Sequence, residues 1–409
     1  MVGPSPSHQN TLWILTEVYY PEEISTGYYL TSIAEGIASD RPVKVITGQP
    51  KHMARGIRAP RREVRNGVEI FRTRGTTLDK NILPFRLLNM VTIGISIFLR
   101  SLKHIKKGDD ILVVTAPPSL PVTTCLASLI KGARFTLLVQ DSYPEILVAV
   151  GATKPMSGFV KTVNFFNRWV YKYASKIVVM GRDMNELFRK KTVGFDIPIL
   201  TIPNWADLES IHPTPRGDNS LLKELGIENN FVFMYAGNIG HPTDVETVVK
   251  TAEMLLDTEI FHFVFIGAGS KKKWLETQKA ERSLKNVTVL DYRPRSEQIV
   301  FLNACDIGLV ALINGMWGTA MPSRTYNIMA AGKPIIALTD KNSELARVID
   351  EDRIGWHIEP RDPTRLAEII RQAYQSRGDL GQMGDRARAA ALAKYSLKTA
   401  VDHYRNALS

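Results

Sequence analysis

The sequence predicts an α/β protein built from two doubly wound, Rossmann-like lobes. Short apolar runs alternate with amphipathic stretches along the chain, which is the pattern of buried parallel strands separated by helices. The pattern is interrupted near the middle and then starts again, and 409 residues suit two domains. We therefore expect a disordered start at 1–10, a first lobe at 11–205, a linker at 206–220 and a second lobe at 221–393.

In the first half, apolar runs predict five buried strands, and the stretches between them have helical spacing. The predicted strands are Leu12–Thr16, Val43–Thr47, Ile111–Thr115, Phe135–Val139 and Ile177–Met180. Predicted helices include Thr26–Ala38, Val122–Lys131 and Gly158–Tyr173.

The segment from Asn204 to Asn219 carries Pro213, Pro215 and Gly217 and has weak periodicity, which indicates the linker. Five further strands are predicted after it, so the second half repeats the βαβ arrangement. They are Phe231–Ala236, Phe261–Ile266, Val287–Leu290, Ile307–Ala311 and Pro334–Leu338.

The stretch Ile82–Ile105 predicts one long helix with an apolar stripe. Its apolar residues step by three and four, and polar or basic residues take the same steps on the opposite face. The longest run without charge, Leu87–Leu99, is too short to span a bilayer. The commoner interpretation is a stripe packed on the sheet, and the alternative is a helix that contacts an anionic membrane surface. The stripe residues are Leu88, Val91, Ile95, Phe98, Leu102 and Ile105.

The net charge of +11 is concentrated in the first half. Residues 1–205 hold 27 Lys and Arg against 15 Asp and Glu, whereas residues 206–409 hold 25 against 26. Such a field favours an anionic partner for the first lobe. The basic residues that we expect to face such a partner or a membrane surface are Arg58, Arg61, Arg62, Arg86, Arg100 and Lys103.

Composition excludes several classes of protein. The two cysteines, Cys125 and Cys305, form no CxxC, so neither a disulfide scaffold nor an oxidising compartment is expected. The polar start does not resemble a signal peptide. There is no zinc-finger, RRM or KH signature, no GxxxxGK[ST] and no GxSxG, and the histidines have no ligand spacing. We expect no nucleic-acid partner, no metal and no cofactor.

Three strand ends in the second half could hold a diphosphate, because such groups bind at strand carboxyl ends against backbone N–H groups. The first is Tyr235-Ala236-Gly237-Asn238-Ile239-Gly240, where two glycines permit close approach to the backbone. The second is Gly267-Ala268-Gly269, a partial GxGxxG that an ordinary strand–helix turn explains equally well.

The third strand end is the most informative. A loop of small residues leads to Pro322-Ser323-Arg324 and then to a helix that ends near Ala330-Ala331-Gly332. Arg324 supplies a guanidinium fork suited to phosphate. Asn327 lies one turn after Ser323 and could donate to a sugar hydroxyl.

These motifs resemble those of the retaining glycosyltransferases of family 4, which have the GT-B fold, and in particular the bacterial subgroup that builds exopolysaccharide, O-antigen and colanic-acid-type glycans. The resemblance covers nearly the whole chain. Its motifs are Tyr20-Pro21-Glu22 to Ser25-Thr26-Gly27, Thr115-Ala116-Pro117-Pro118, Gln140-Asp141-Ser142-Tyr143-Pro144-Glu145, Ile202-Pro203-Asn204, Tyr235 to Asn238, Gly267 to Gly269, and Pro322 through Pro334.

The resemblance implies two lobes that face a central cleft, with a nucleotide-sugar site in the second and an acceptor site in the first. It also implies that the last helix, within 394–409, crosses back to the first lobe. The implied donor-binding residues are Gly27, Gly237, Asn238, Gly267, Ala268, Gly269, Tyr292, Arg293, Pro322, Ser323, Arg324 and Asn327.

The sequence departs from the family pattern within the donor site. Pro242 stands where many members carry a lysine, and the usual pair of glutamates spaced eight apart is replaced by Thr319 and Asn327. Arg324 and the lysines Lys271–Lys273 are candidate sources of the missing positive charge.

Asp141 and Glu145 are the candidate catalytic carboxylates, because they follow a predicted strand. A capping role would place Asp141 there equally well. Retaining members are thought to need no protein nucleophile, so the protein would supply position and stabilise the leaving diphosphate.

The expected activity is transfer of a hexose from a UDP- or GDP-sugar to a glycan or polyprenyl-diphosphate-linked acceptor in cell-surface polysaccharide synthesis. The expected location is the cytoplasm, with peripheral contact at the inner face of an anionic cell membrane. Two alternatives remain open: a nucleotide-sugar epimerase, and a nucleotide-sugar-binding protein whose catalysis is impaired at Pro242, Thr319 and Asn327.

Overall fold

The computed structural model describes residues 10–51, 58–78 and 82–409, and within the long second helix it leaves out the side chains of Leu83 and Arg86. The predicted disordered start at 1–10 therefore lies outside the description, apart from Asn10. The chain forms two units. The first comprises residues up to Pro144, Thr153–Pro203 and Ala400–Ser409, and the second comprises Glu145–Ala152 and Asn204–Thr399.

The first unit contains an eight-stranded sheet. Its strands are β1 Leu12–Leu15, β2 Val43–Thr47, β3 Arg62–Arg65, β4 Val68–Arg72, β5 Asp110–Val114, β6 Arg134–Leu138, β7 Lys176–Val179 and β8 Ile199–Thr201. The strand order is β3-β4-β2-β1-β5-β6-β7-β8, and only the β3–β4 pair is antiparallel.

The first six helices are α1 Ser25–Ile37, α2 Leu83–His104, α3 Leu120–Lys131, α4 Glu145–Ala149, α5 Gly158–Tyr173 and α6 Arg182–Lys191, and all but α4 belong to the first unit. Because parallel crossovers are right-handed, α1 lies on one face of the sheet, whereas α2, α3, α5 and α6 lie on the other.

The second unit contains a parallel six-stranded sheet in the order β11-β10-β9-β12-β13-β14. Its strands are β9 Phe231–Ala236, β10 Phe261–Ile266, β11 Val287–Leu290, β12 Ile307–Ala311, β13 Ile335–Leu338 and β14 Gly355–Ile358. Nearly all residues of β9, β10 and β12 are buried, because helices cover both faces of this sheet.

The remaining helices are α7 Ser220–Leu225, α8 Val245–Met254, α9 Lys272–Glu281, α10 Gln298–Ala304, α11 Arg324–Ala330, α12 Glu344–Asp352, α13 Pro363–Gln375, α14 Leu380–Lys394 and α15 Leu397–Leu408, with 3-10 turns at Arg216–Asp218, Arg295–Glu297 and Arg377–Asp379. The last helix passes from the second unit into the first at Ala400. There Lys176 Nζ donates to the carbonyl of Ala407 at 2.6 Å, and Arg41 donates to that of Leu408 at 2.9 Å.

The α/β class with two doubly wound lobes is confirmed. The unit boundaries differ from the predicted ones in two places. Glu145–Ala152 belongs to the second unit, and the predicted linker at 206–220 is packed there. Ile211 is buried, and its carbonyl accepts from Arg388, which also donates to the carbonyl of Ala330.

The expectation that the apolar stripe of α2 packs on the sheet is wrong for the central residues of the stripe. Leu88, Val91 and Ile95 are about half exposed, at 45%, 51% and 50%. Ile93 and Ile97 are the buried apolar residues at this part of the helix, and Asn89 is buried beside them. Asn89 belongs to the polar face of the predicted helix, but it is buried because its amide accepts from the N–H group of Leu78 and donates to the Leu78 carbonyl.

Candidate functional site

The second sheet has its topological switch between β9 and β12. From β9 the chain continues to β10 on one side, and from β12 it continues to β13 on the other. Ligands of open α/β sheets bind outside the carboxyl ends of strands at such a point. The carboxyl ends here are Ala236, followed by Gly237, and Ala311, followed by the loop that leads to α11.

Arg324, the first residue of α11, reaches this switch point. Its guanidinium carbon lies 4.2 Å from the centroid of the Tyr235 ring. A Cβ on Gly237 would stand 2.8 Å from the same carbon, so glycine leaves the space that the side chain fills. Nη1 of Arg324 is buried and has no hydrogen-bond partner in the described part of the chain. A buried cationic N–H without a partner costs free energy unless an anion or water pairs with it.

The Gly-x-Gly turn packs tightly against the turn after β9. Gly237 N–H donates to Ile266 at 2.8 Å, and Ile239 N–H donates to Ala268 at 2.8 Å, which extends the β9–β10 pairing past both strands. A Cβ on Gly267 would come within 1.9 Å of the Gly237 carbonyl oxygen, and one on Gly269 within 2.3 Å of the Ile239 oxygen. These glycines thus allow two backbones to approach, and a role in lining the nucleotide pocket stays a prediction.

The nearby lysines are largely paired. Lys271 Nζ lies 2.9 Å from Glu246 and donates to the Thr243 carbonyl at 2.7 Å. Lys272 pairs with Asp291 and, at 3.6 Å, with Glu276, whereas Lys273 is exposed. Among the candidate positive groups, Arg324 therefore lies at the switch point with an unpaired donor atom, Nη1.

The turn that contains Asn238 and Pro242 is held by its own backbone. Asn238 is exposed, and its carbonyl accepts from the Tyr235 hydroxyl at 2.7 Å. The carbonyl of Pro242 accepts from Ile313 N–H at 3.0 Å, which ties this turn to the chain leaving β12.

The loop before α11 is anchored by Asp340, which follows β13. Its two carboxylate oxygens accept from the N–H groups of Gly315 at 3.0 Å and Trp317 at 2.7 Å. Thr319 is buried, and its hydroxyl donates to the Met316 carbonyl at 2.7 Å. Pro322 and Ser323 are half-buried just before α11 begins. The loop is thus fixed in front of the switch point.

Asn327 is occupied by the protein itself. Its Oδ1 accepts from Asp207 N–H at 3.2 Å, and its Nδ2 donates to Gln298 at 3.3 Å. The side chain is 6% exposed. Each end of the amide therefore already makes one hydrogen bond within the protein, and a role toward the sugar stays a prediction.

Tyr292 and Arg293 follow β11 at the far edge of the sheet. Tyr292 is 41% exposed. Arg293 pairs with Glu224 at 2.8 Å and Glu297 at 3.2 Å, so its guanidinium is committed to carboxylates.

The first unit brings three of the sequence motifs to one sheet edge. The chain leaves adjacent strands β1, β5 and β6 at their carboxyl ends, and a cis peptide bond precedes Pro21, Pro117 and Pro144 in the segments that follow. Gly27 lies in α1, where a Cβ would come within 2.3 Å of the Glu22 carbonyl oxygen. Gly27 therefore allows the segment after β1 to pack on α1.

Asp141 lies at this edge and lines a small pocket together with residues of α3, α5 and α6 and the ends of β5 and β6. Burial raises the pKa of its carboxyl group to about 6. The Thr115 hydroxyl accepts from the N–H groups of both Gln140 and Asp141, at 3.2 and 3.3 Å, and so fixes this turn. A carboxylate with a pKa near neutrality is suited to proton transfer.

Glu145 is the first residue of α4 and belongs to the second unit, whereas Asp141 belongs to the first. The predicted first lobe at 11–205 includes Glu145, whereas the chain passes into the second unit just after Pro144.

The predicted basic side of the first unit is partly neutralised. Arg58 and Arg61 are exposed, and Arg62 pairs with Glu69 across the β3–β4 hairpin. Arg100 is half-buried and Lys103 exposed, both on α2. The side chain of Arg86 lies outside the described residues.

Sequence reasoning missed two residues of the site. Tyr235 stacks beneath Arg324, and nothing in its position at the end of a strand distinguished it from an ordinary core aromatic. Asp340 had a usable signal, since it is a carboxylate placed directly after a strand, like Asp141. The sequence Asp350-Glu351-Asp352, which has the DxD form of a metal-binding motif, ends α12, where Asp350 pairs with His357 and Asp352 with Lys394.

The chain is similar to known proteins along most of its length. Residues 219–390 match the family described as glycosyl transferases group 1. WbjE of Pseudomonas aeruginosa, named as a probable glycosyltransferase, is 32% identical over 318 residues, which are 78% of this chain and 78% of that protein. WcaI of Escherichia coli (strain K12), whose name refers to colanic acid biosynthesis, is 25% identical over 368 residues, covering 87% and 90%.

Solved structures show the same fold. Alr3699/HepE of Anabaena, crystallised with UDP, has a TM-score of 0.73 at 14% identity, covering 97% of this chain and 99% of that one. WaaG, a glycosyltransferase involved in lipopolysaccharide biosynthesis, has a TM-score of 0.70 at 12% identity, covering 97% and 99%. The architecture is that of GT-B glycosyltransferases. With the relationship to WbjE and the match of the second lobe, the chain belongs to the group 1 family of glycosyltransferases and is a transferase.

Proposed function

We propose that the protein is a retaining hexosyltransferase of family 4 that works in the synthesis of a cell-surface polysaccharide. It takes the hexose from a UDP- or GDP-sugar and transfers it to a glycan or polyprenyl-diphosphate-linked acceptor. The protein works in the cytoplasm at the inner face of the cell membrane. The observation that carries the proposal is the guanidinium of Arg324, which lies at the β9–β12 switch with a buried donor atom unpaired.

The nucleotide-sugar donor fits this site by charge. A diphosphate carries negative charge on oxygens that guanidinium donors match well. The chemistry is also consistent with solved relatives of the same fold, since Alr3699/HepE has been crystallised with UDP-glucose and with UDP and glucose.

In the proposed reaction the bond between the sugar C1 and the leaving phosphate oxygen breaks. The acceptor oxygen bonds to C1 on the same face and gives its proton to the leaving diphosphate. Arg324 stabilises the charge that develops on that diphosphate. Burial raises the pKa of Asp141 to about 6, and its ionised carboxylate accepts a hydrogen bond from the acceptor hydroxyl and so orients it. No step requires a metal ion.

The experiment that tests the donor site separates phosphate binding from nucleoside binding. A thermal-shift screen of UDP, GDP and their sugars identifies the base, because a ligand that binds only the native state raises the melting temperature. Calorimetry then compares the wild type with Arg324→Ala for the diphosphate and the nucleoside. Hydrogen bonds to charged groups contribute about 1.5–3 kcal/mol, so the diphosphate affinity is expected to fall roughly 10- to 100-fold while nucleoside affinity is unchanged.

Arg365→Ala is the matched control, because Arg365 pairs with Glu368 on the exposed face of α13. Equal losses for diphosphate and nucleoside, or no loss for either, would refute the phosphate role of Arg324.

Product analysis separates the candidate functions. Incubation of the donor with a lipid-linked acceptor, followed by NMR of the new anomeric centre, shows transfer and its stereochemistry. Interconversion of the donor without acceptor would indicate an epimerase. Tight binding without turnover across a broad acceptor screen would indicate an impaired enzyme, and the commitment of Asn327 to Asp207 and Gln298 is the observation that keeps this alternative open.

A further inference from the structure

Most of the large apolar side chains that the described residues expose lie on three helices of the first unit. On α2 they are Phe85, Leu87, Leu88, Val91, Ile95 and Leu99, on α3 Leu126, Leu129 and Ile130, and on α5 Phe159, Phe165, Phe166 and Tyr173. These helices are neighbours in one layer on one face of the sheet, since α2 packs on α3 and α3 packs on α5. We call their outer surface the three-helix face.

Contacts between α2 and α3 hold these helices in place, and the apolar side chains of the three-helix face point away from the core. Gly94 lets α2 approach α3, because a Cβ there would be 3.2 Å from the Ser119 hydroxyl. Ser119 donates to the Met90 carbonyl at 3.2 Å, and Lys131 donates to the Leu102 carbonyl at 3.0 Å. With Ile93 and Ile97 turned inward, Leu88, Val91, Ile95 and Leu99 must project outward, since they step by three and four along the opposite side.

The charge of the three helices has one sign. Over α2, α3 and α5 the sequence has seven Lys and Arg and no Asp or Glu. The basic residues are Arg86, Arg100, Lys103, Lys131, Lys161, Arg168 and Lys172. Exposed helices elsewhere in the chain mix both signs, as in α9 and α13. Exposed phenylalanines beside Lys161, Arg168 and Lys172 on α5 form the pattern of a helix that lies in a membrane interface.

We infer that the three-helix face binds the surface of an anionic lipid bilayer, with Ile95, Leu99, Phe165 and Phe166 entering the headgroup region and the surrounding cations pairing with lipid phosphates. None of the helices among the described residues is long and apolar enough to cross a bilayer, so the contact is peripheral. A protein partner of mixed charge would require acidic residues to pair with its cations, and these helices have none. The inference deepens the proposed membrane location but does not depend on the transfer reaction.

Cosedimentation of the full chain with vesicles tests the inference. Vesicles of phosphatidylglycerol with phosphatidylcholine should bind the protein, vesicles of phosphatidylcholine alone should bind it much more weakly, and added salt should reduce binding because it screens the charges. Ile95→Ser and Phe165→Ser should each weaken binding roughly tenfold. The free energy gained by burying one such side chain corresponds to a change in affinity of about that size or larger.

Arg168→Glu with Lys172→Glu should weaken binding to the anionic vesicles and leave the weak binding to neutral ones unchanged. Leu392→Ser, at an exposed apolar site of α14 in the second unit, is the control and should bind like the wild type. Melting temperatures and the nucleotide-induced melting shift of each variant show that folding and the donor site are intact, which keeps this test separate from that of the proposed function.

Absence of binding to anionic vesicles at low salt would overturn the inference. Equal loss with Leu392→Ser would also overturn it. A concentration-dependent dimer in sedimentation velocity that Ile95→Ser and Phe165→Ser dissociate, without vesicle binding, would assign the three-helix face to a second copy of the chain instead.

Discussion

The guanidinium of Arg324 lies over the ring of Tyr235, 4.2 Å from its centroid, and fills the space in front of Gly237. An aromatic face attracts a cation, and the absent side chain of glycine leaves room for it. The three residues come from the end of β9 and the start of α11, which meet because β9 and β12 are neighbours in the sheet. The contact holds a positive charge at the carboxyl edge without neutralising it.

Gly237→Ala should displace Arg324. The new Cβ would be 2.8 Å from the guanidinium carbon, and the backbone φ of +145° is one that alanine rarely adopts. We expect roughly tenfold weaker binding of the nucleoside diphosphate, measured by calorimetry, with a lower melting temperature. Gly378→Ala, where a Cβ meets nothing within 4 Å, serves as the control. Wild-type diphosphate affinity in Gly237→Ala would contradict the idea that glycine is needed to place Arg324.

Asp340→Ala should loosen the loop before α11. Its carboxylate accepts hydrogen bonds from the N–H groups of Gly315 and Trp317, and truncation removes both bonds. We expect a loss of about 2 kcal/mol in the free energy of unfolding and weaker diphosphate binding, because Arg324 follows this loop. Urea unfolding and limited proteolysis check the two effects. Asp385→Ala, at an exposed site on α14, should be neutral. A loop equally resistant to protease in both variants would count against the anchor.

Asp141 should make stability depend on pH. Burial raises its pKa from 3.8 to about 6 in the folded protein, so between these values the native state keeps a proton that the unfolded state has lost. This contribution to stability is therefore present at low pH and is lost as pH rises through about 6. At about 1.4 kcal/mol per pKa unit, the loss is at most roughly 3 kcal/mol.

Asp141→Asn removes this titration and should be more stable than the wild type near neutral pH, but not near pH ~4. Urea unfolding at both pH values measures the difference. If the variant and the wild type differ equally at both pH values, the carboxyl group does not titrate as proposed. In the assay of transfer, the wild-type rate should fall below about pH 6 if the ionised form of Asp141 acts on the acceptor.

Asn303→Ala should destabilise the second unit. The buried amide accepts from Thr214 N–H at 3.0 Å and donates to the carbonyls of His212 and Ile299 at 2.9 and 2.8 Å. Truncation leaves these groups without partners, so we expect a loss of about 3 kcal/mol in the free energy of unfolding. Chemical denaturation measures it, with the exposed Asn406→Ala as the neutral control. A loss no larger than that of the control would show that water replaces the amide.

The turn of the β3–β4 hairpin has a recognisable signal in the sequence. Asn66-Gly67 has positive φ at both residues, 46° and 80°, and joins two short antiparallel strands. Asn-Gly between alternating residues is a strong indication of such a turn. The charged side chains of Arg62 and Arg65 concealed the strand, because an edge strand does not need to be apolar.

Other features could not be found without the fold. The sequence places Asn327 one helical turn after Ser323, but only the fold shows that its amide pairs with Asp207 and Gln298, which are distant in sequence. Likewise, the apolar spacing of α2 correctly predicts a helix, but the face it indicates as buried is the exposed one. Spacing shows only that the two faces of a helix differ, whereas packing on α3 and the sheet decides which face is covered.

The sequence by itself determined the two α/β lobes, the order of strands and helices along the chain, and the presence of Arg324 directly after the loop that follows β12. These follow from local hydrophobic period and turn residues, which act over a few positions. The tertiary structure alone decided that Arg324 meets Tyr235 and Gly237, that the Asn327 amide pairs with Asp207 and Gln298, and that the apolar face of α2 is exposed. Each depends on contacts between segments far apart in the chain, and no local pattern records which distant side chain fills a given space.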